Sequence, residues 1–303
     1  MKYLFFLLIY STLISCSQVL RNNESFDEHD TLYAKKEQVR EIISPNFITK
    51  KGDFLIVASS NSNPMLYMYS LPSLELVSTT GNKGRGPNEI PTFPMFCESS
   101  RSPWVYIWGY QPTTLFSFDV SAGNFNKIGE HHLSRYEEFN NMHVLSDSLF
   151  LFYLPDQLTI KKYDLKNQKW LNEIVLKKDS HNESFFYRNR GYMAANDSYV
   201  IYAYYFKKQI DIYDLRTFKL KIRINDGKTY APPVPGSFEQ VTYQYSKVYA
   251  GANYFYVLHN GIKRADGSYI NKSLEVYDYE GNAVKNIVLI WRPTCLLLTR
   301  CMV

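Results

Sequence analysis

Residues 209–215 read QIDIYDL, a run in which apolar and polar side chains alternate before a final Tyr-Asp-Leu. Such alternation with period two is typical of a β-strand that has one buried face. Four other runs end in the same way, with an aromatic residue, usually an Asp and usually an aliphatic residue. The five copies are Tyr69-Ser70-Leu71, Phe118-Asp119-Val120, Tyr163-Asp164-Leu165, Tyr213-Asp214-Leu215 and Tyr277-Asp278-Tyr279.

The spacing of these copies predicts an all-β propeller. Their aromatic positions are separated by 49, 45, 50 and 64 residues. A period of about forty to fifty residues is typical of a β-propeller, in which each period supplies one blade. Aromatic residues make up 16% of the sequence, which also favours β structure. A β-sandwich is the rival all-β fold, but it does not explain the period.

Each period divides at its turn residues into three strands: an apolar inner strand, the motif strand and a more polar outer strand. The Asp of the motif ends its strand, so we expect it to accept hydrogen bonds from turn amides. A fourth, innermost strand is predicted before each triplet. The candidates are Pro45–Ile48, Phe93–Glu98, Asn140–Val144, Gly191–Ala195 and Tyr245–Tyr249.

The N-terminus, residues 1–15, has the features of a targeting segment. Lys2 precedes an apolar run, Tyr3–Leu13, that is shorter than the ~20 residues of a transmembrane helix. The run ends in Leu13-Ile14-Ser15-Cys16, which resembles the lipobox of bacterial lipoproteins and implies lipidation of Cys16. An ordinary signal peptide with an incidental Cys is the alternative. The polar segment 16–31 is predicted to be a flexible tether.

Charge and cysteine content exclude several classes of partner. The formal net charge is +5, and the lysines are dispersed, as in Lys161-Lys162. This pattern indicates solvated strand edges and no nucleic-acid partner. Beyond Cys16, the cysteines are Cys97, Cys295 and Cys301, an odd number that predicts neither a disulfide framework nor a CxxC metal site. We therefore expect no cofactor and no metal.

The loop Gly81–Ile90 reads GNKGRGPNEI. Together with the lipobox and the repeat, it resembles the six-bladed TolB-like propeller lipoproteins of Bacteroidetes, which carry a similar G-x-x-G-x-G-P-x-E loop after their first blade. The resemblance covers nearly all of the mature chain up to about Leu289, including the predicted propeller at residues 32–289. It implies a periplasmic or surface lipoprotein with a propeller fold, but it defines no reaction.

Three residues are candidate ligand-binding positions: Arg85, Glu89 and His143. Arg85 and Glu89 lie in the glycine-rich loop, but no helix follows, so a phosphate site is not predicted. The alternative is a crossover that needs glycine freedom, with Glu89 as a local cap. Among carboxylates and histidines on the predicted innermost strands, Glu98 and His143 are the main ones. No catalytic residue is assigned, since neither HExxH nor GxSxG occurs.

The end of the repeat is incomplete. A closing strand is predicted at Glu37–Ser44, yet only the atypical tail 290–303 follows the fifth unit where a sixth blade should lie. A truncated chain is the favoured interpretation, and a five-bladed ring is the alternative. The sequence therefore predicts a lipid-anchored cell-envelope module that binds a protein, peptide or glycan. The alternatives are a lyase or hydrolase acting on glycans or peptides at the propeller channel, and a non-functional remnant.

Overall fold

A computed structural model describes residues 19–22, 25–33, 41–42, 45–86, 89–90, 94–99, 104–109, 114–132, 141–176, 189–230, 242–263 and 268–290. Over these ranges the strands form five four-stranded blades, which confirms the predicted propeller. In the same part of the chain, no helix has the length and hydropathy that a membrane crossing requires.

Two short strands precede the blades, β1 (Val19–Asn22) and β2 (Glu28–Leu32). The first blade then consists of antiparallel strands β3 (Phe47–Lys51), β4 (Phe54–Ala58), β5 (Leu66–Ser70) and β6 (Leu76–Thr80). The middle strands β4 and β5 are largely buried, whereas β6 is mostly exposed. This gradient explains the apolar, motif-bearing and polar segments of each sequence period.

A parallel pair in the glycine-rich loop, β7 (Asn82–Lys83) and β8 (Glu89–Ile90), follows the first blade. The later blades repeat the same order from inside to outside. The second is β9 (Met95–Ser99), β10 (Val105–Gly109), β11 (Thr114–Asp119) and β12 (Asn126–His132); the third is β13 (Asn141–Val144), β14 (Leu149–Leu154), β15 (Thr159–Asp164) and β16 (Lys169–Val175).

The fourth and fifth blades follow the same scheme, and the fifth contains an inserted hairpin. The fourth is β17 (Gly191–Ala195), β18 (Tyr199–Tyr204), β19 (Gln209–Asp214) and β20 (Leu220–Asn225); the fifth is β21 (Tyr245–Ala250), β22 (Tyr254–His259), β25 (Ser273–Asp278) and β26 (Ala283–Leu289), with the hairpin β23 (Ile262–Lys263) and β24 (Tyr269–Ile270). This insertion lengthens the last period. All five predicted innermost strands are confirmed to within a few residues.

Consecutive blades pack face to face through their middle strands. Between the third and fourth blades, Tyr202 is fully buried and donates a hydrogen bond to the Tyr153 hydroxyl at 2.8 Å. Between the fourth and fifth blades, the rings of Tyr199 and Tyr279 stack with centroids 4.8 Å apart. The aromatic residues therefore fill the space between blades, where large side chains bury the most apolar surface.

The motif acids have the predicted turn-capping role. Asp119 accepts a hydrogen bond from the Ser121 amide at 2.9 Å, and Asp214 accepts one from the Thr217 amide at 2.7 Å. Asp164 and Asp278 make the same kind of contact with the turns that follow them. These bonds hold the pKa values of Asp119, Asp164 and Asp214 below the usual range. The Asp recurs at the same motif position because the turn that follows each strand needs a hydrogen-bond acceptor there.

The N-terminal segment differs from the predicted tether. β1 pairs in parallel with β20, and β2 pairs in parallel with β26, so both are outermost strands of blades. Composition misses them because an outermost strand is held by main-chain hydrogen bonds and buries few side chains. In β2, the acidic groups of Glu28 and Asp30 instead lie 3.3 and 3.4 Å from the Lys285 ammonium.

The closing strand predicted at Glu37–Ser44 is not found where the structure describes the chain. Of that range, only residues 41 and 42 are described, and neither is in a strand. The N-terminal strand β2 instead adds a fifth strand to the outer edge of the fifth blade. Cys16 and residues 291–303 lie outside the described residues, so lipidation and truncation stay predictions.

Candidate functional site at the propeller axis

Charged side chains from the innermost strands converge at the propeller axis. Lys247 of β21 and Glu98 of β9 form an ion pair, with 2.6 Å between Nζ and Oε1. These strands belong to the fifth and second blades, which are not neighbours in the chain. The ion pair therefore spans the axis and brings the side chains of two non-consecutive blades into contact.

His143 lies beside this ion pair and is buried without a hydrogen-bonding partner. Strand β13 pairs in parallel with β9, and this places His143 opposite Glu98. The imidazole is 4% exposed, and among the described residues neither Nδ1 nor Nε2 has a hydrogen-bond partner. Buried polar groups are usually satisfied, since an unsatisfied one carries a desolvation penalty. His143 is therefore unlike an ordinary core histidine.

The charges around His143 are balanced in sign. Burial lowers the pKa of His143 to about 4, because the charged imidazolium is poorly solvated there. Glu98 and Asp197 act to raise this pKa, whereas Lys51 and Lys247 act to lower it. At neutral pH the ring is thus uncharged, with one nitrogen as a donor and the other as an acceptor.

Lys51 adds a second ammonium group to this axial cluster, which comprises Lys51, Glu98, His143, Asp197 and Lys247. It ends the innermost strand of the first blade. Burial lowers the pKa of Lys51 to about 8, so the ammonium group is still charged in most molecules at pH 7. The cluster can offer a polar ligand two cations, two carboxylates and a neutral imidazole. Among the described residues, no three His, Cys, Asp or Glu side chains are arranged to hold a metal ion.

The described part of the glycine-rich loop, residues 81–86 and 89–90, contributes no side chain to the axial cluster. Glu89 folds back on this loop, and its Oε2 accepts a hydrogen bond from the Gly86 amide at 2.7 Å. A Cβ atom on Gly84 would clash with the Glu89 carboxylate, so a larger residue there would displace the Glu89 side chain. Arg85 is exposed. The local cap considered for Glu89 is confirmed, and the ligand-binding roles of Arg85 and Glu89 stay predictions without a partner from the axis.

The structure brings together Glu98 and His143, which the sequence had singled out, and adds residues that it had not. Lys51 lies just beyond the predicted innermost strand Pro45–Ile48. Lys247 lies inside the predicted strand Tyr245–Tyr249, but the sequence argument considered acids and histidines and not lysines. A polar residue at the middle or end of any innermost strand is the signal that would have identified both lysines.

Comparisons with known proteins agree with this fold. An exported protein of Bacteroides fragilis NCTC 9343 superposes with a TM-score of 0.51 at 15% identity, over 89% of this chain and 79% of that one. U3-55K superposes with a TM-score of 0.46 at 6% identity, over 77% of this chain and 59% of that one. Kuenenia stuttgartiensis hydrazine synthase superposes with a TM-score of 0.45 at 9% identity, over 80% of this chain and 65% of that one. At 15% identity, the likeness to the Bacteroides fragilis protein shows the fold alone.

The sequence comparisons are more specific about the family. No curated protein matches the chain. A family model described as TolB-like 6-blade propeller-like matches residues 23–296, which include every blade and the N-terminal strand β2. The chain therefore belongs to the TolB-like six-bladed propeller family.

Proposed function

We propose that this protein is a lipid-anchored module of the bacterial cell envelope that binds a polar ligand at the propeller axis. The observation that carries the proposal is His143, which is buried, feels the charges of four ionisable groups, and has no hydrogen-bond partner at either ring nitrogen among the described residues. A narrow ligand group that both donates and accepts hydrogen bonds would satisfy this imidazole. A hydroxyl group of a glycan and an amide of a peptide both have that capacity.

Binding is favoured over catalysis by the properties of the same residue. A histidine with a pKa of about 4 is a weak base, so it would accept a proton poorly from a substrate at pH 7. The ion pair with Lys247 also engages Glu98, the nearest carboxylate. The cluster is better suited to recognising a polar group than to moving its protons.

The envelope location rests on the N-terminal sequence and on one neighbour. Leu13-Ile14-Ser15-Cys16 follows an apolar run, as in lipoprotein signals. The Bacteroides fragilis neighbour is described as exported, which agrees with a location outside the cytoplasm. Metabolic labelling with a clickable palmitate tests the anchor. Label on the wild type and none on Cys16→Ser is expected, and equal label on both would contradict it.

The ligand is tested with envelope fractions and the imidazole resonances of the protein. Peptidoglycan fragments, soluble glycans and peptides are titrated into ring-labelled protein, and the resonance lost in His143→Asn is assigned to His143. A shift of that resonance, weakened by Lys247→Met, is expected. Lys285→Met on the outer rim is the matched control. No shift with any fraction would contradict the axial site.

The same titration separates binding from the enzymatic alternative. Each fraction is recovered after incubation and compared by mass spectrometry with a sample kept without protein. Unchanged fractions are expected for a binding module. New products that disappear with Glu98→Gln would establish a lyase or hydrolase, and a stoichiometric Ca²⁺ or Zn²⁺ content of the purified protein would point the same way.

A further inference from the structure

A polar cavity lies between the fourth and fifth blades and shares no lining residue with the axial cluster. Its volume is about 350 Å³, at the lower end of the range for small-molecule pockets. Its charged and buried polar lining includes Lys208 of the fourth blade and His259, Glu275 and Asn286 of the fifth, and Ser25, His29, Asn271 and Ser273 add further polar groups. Phe26, which lies between β1 and β2, contributes an aromatic wall.

The fourth blade has a closed counterpart of this cavity. Asp211 and Glu275 occupy equivalent positions, each two residues before the motif Tyr of its blade, and both are buried. In the fourth blade, Asp211 faces Arg223 across the strand pair, and the guanidinium contacts both carboxylate oxygens at 2.7 Å. That buried acid is completely neutralised from within its own blade.

The fifth blade lacks the arginine. The residue across from Glu275 is Asn286, whose shorter side chain leaves the room that Arg223 fills in the fourth blade. Glu275 is compensated instead by Lys208 of the neighbouring blade, with 3.2 Å between Nζ and Oε1. The Asn286 Oδ1 atom is buried and has no hydrogen-bond partner among the described residues. The cavity therefore contains an unsatisfied acceptor.

The polar groups next to Glu275 are acceptors or are already engaged. The Gly261 amide donates to His259 Nδ1 at 3.3 Å, so this nitrogen is unprotonated and lies 4.0 Å from Glu275 Oε1. Burial lowers the pKa of His259, which keeps the ring neutral. The Tyr277 and Tyr245 hydroxyls donate to Glu275 Oε2 and are already used. Beside Glu275 and Asn286 a ligand is thus needed as a hydrogen-bond donor, whereas the Ser25 and Ser273 hydroxyls and the Asn271 amide can also donate to it.

We propose that this interblade cavity binds a neutral carbohydrate unit. Lys208 already offsets the charge of Glu275, so the site has no net charge to attract an ion. Sugar hydroxyls can donate to Asn286 Oδ1 and to Glu275 Oε1, and they can accept from the Lys208 ammonium. Phe26 and Ile262 supply apolar surfaces for the C–H faces of a sugar ring. A sugar carboxylate would meet several acceptors and be disfavoured.

The test is ligand-observed NMR with a panel of neutral monosaccharides: glucose, galactose, mannose, xylose and N-acetylglucosamine. Saturation transfer from the protein to at least one of them is expected, with weaker transfer to glucuronate. Asn286→Arg copies the fourth blade and fills the cavity, so it should weaken the binding about ten-fold or more, as expected for loss of a hydrogen bond to a charged group. In the control variant Lys285→Arg, the arginine lies next to Asn286 on β26 but on the opposite face of the sheet. This variant should bind the sugar as the wild type does.

Two results would overturn the proposal: no transfer to any sugar of the panel, or equal affinity of the wild type and Asn286→Arg. If Asn286→Arg fails to fold, Ile262→Trp blocks the cavity from an exposed position, where 62% of the residue is accessible to solvent. Since none of these variants touches the axial cluster, the outcome is independent of the axial binding proposal.

Discussion

The Arg223 guanidinium on β20 binds the Asp211 carboxylate on β19 through two hydrogen bonds. Nε donates to Oδ1 and Nη2 donates to Oδ2, each at 2.7 Å. Asp211 is fully buried, and the Tyr204 hydroxyl also donates to it at 2.7 Å. These contacts raise the pKa of Arg223, chiefly through the hydrogen bonds to Asp211. The pair fixes β19 against β20 next to a register shift between Ile212 and Tyr213.

Replacing Arg223 with Met should lower the free energy of unfolding by about 3 kcal/mol, because the buried Asp211 charge would lose its partner. Urea unfolding followed by tryptophan fluorescence measures the change. The double variant Asp211→Leu, Arg223→Met removes both charges and should recover part of the loss. A single variant as stable as the wild type would mean that Asp211 is compensated by its tyrosines alone.

Replacing Asp214 with Ala should cost about 1 kcal/mol at pH 7, since the Thr217 amide and hydroxyl lose their acceptor. The folded pKa of Asp214 is below 3.8, so its contribution is complete above that pH and is lost as the pH falls through the folded pKa. The difference between wild type and variant should therefore shrink in acid.

Ser70→Ala is the matched control for the Asp214 experiment. Ser70 occupies the motif position in the first blade and bonds to Ser73 Oγ at 2.7 Å. Because a hydroxyl does not titrate in acid, the stability difference for Ser70→Ala should be the same at every pH. An equally pH-independent difference for Asp214→Ala would show that its carboxylate is not what stabilises the turn.

His143 should make the fold sensitive to mild acid. Its pKa is lowered from 6.5 to about 4, so between these values the unfolded chain binds a proton that the folded protein excludes. The contribution of His143 to the free energy of unfolding is fully present above pH 6.5. It is lost as the pH falls toward 4, by about 3 kcal/mol in all. His143→Leu should remove this part of the slope, as measured by urea unfolding at several pH values. Val175→Ala, at an exposed position without a titratable group, should leave the slope unchanged.

Ile201 should be a sensitive core position. Its side chain is fully buried between the fourth and fifth blades, and Ile201→Ala should cost about 3 kcal/mol through lost burial and a cavity. Val175→Ala on the outer strand of the third blade, where Val175 is 64% exposed, should change stability by less than about 0.5 kcal/mol. Thermal and urea unfolding of both variants measure the contrast.

The blades could be predicted because the repeat combines local and periodic signals. Tyr163-Asp164 and Tyr213-Asp214 each report a buried ring and a turn acid, and both requirements act within a few residues of the chain. β1 and β2 gave no such signal, since an outer strand joined in parallel depends on backbone pairing with residues more than 200 positions away. Strands of that kind are visible only in three dimensions.

The candidate sites were predictable only in part. Glu98 and His143 stood out as polar residues on apolar inner strands, but their meeting with Lys247 depends on how the blades close around the axis. The cavity beside Glu275 could not be inferred at all. It follows from one difference between equivalent positions, Arg223 and Asn286, that matters only once the strand register is known.

The attachment of β1 to the fourth blade sets the orientation of the protein if Cys16 bears the proposed anchor. Val19 is paired with Ile222, and the three residues from Cys16 to Val19 can span only about 10 Å. The rim of the fourth blade would then rest on the lipid surface. The disc would stand upright, with its axis parallel to the plane of the membrane and both mouths of the channel open to the surrounding medium.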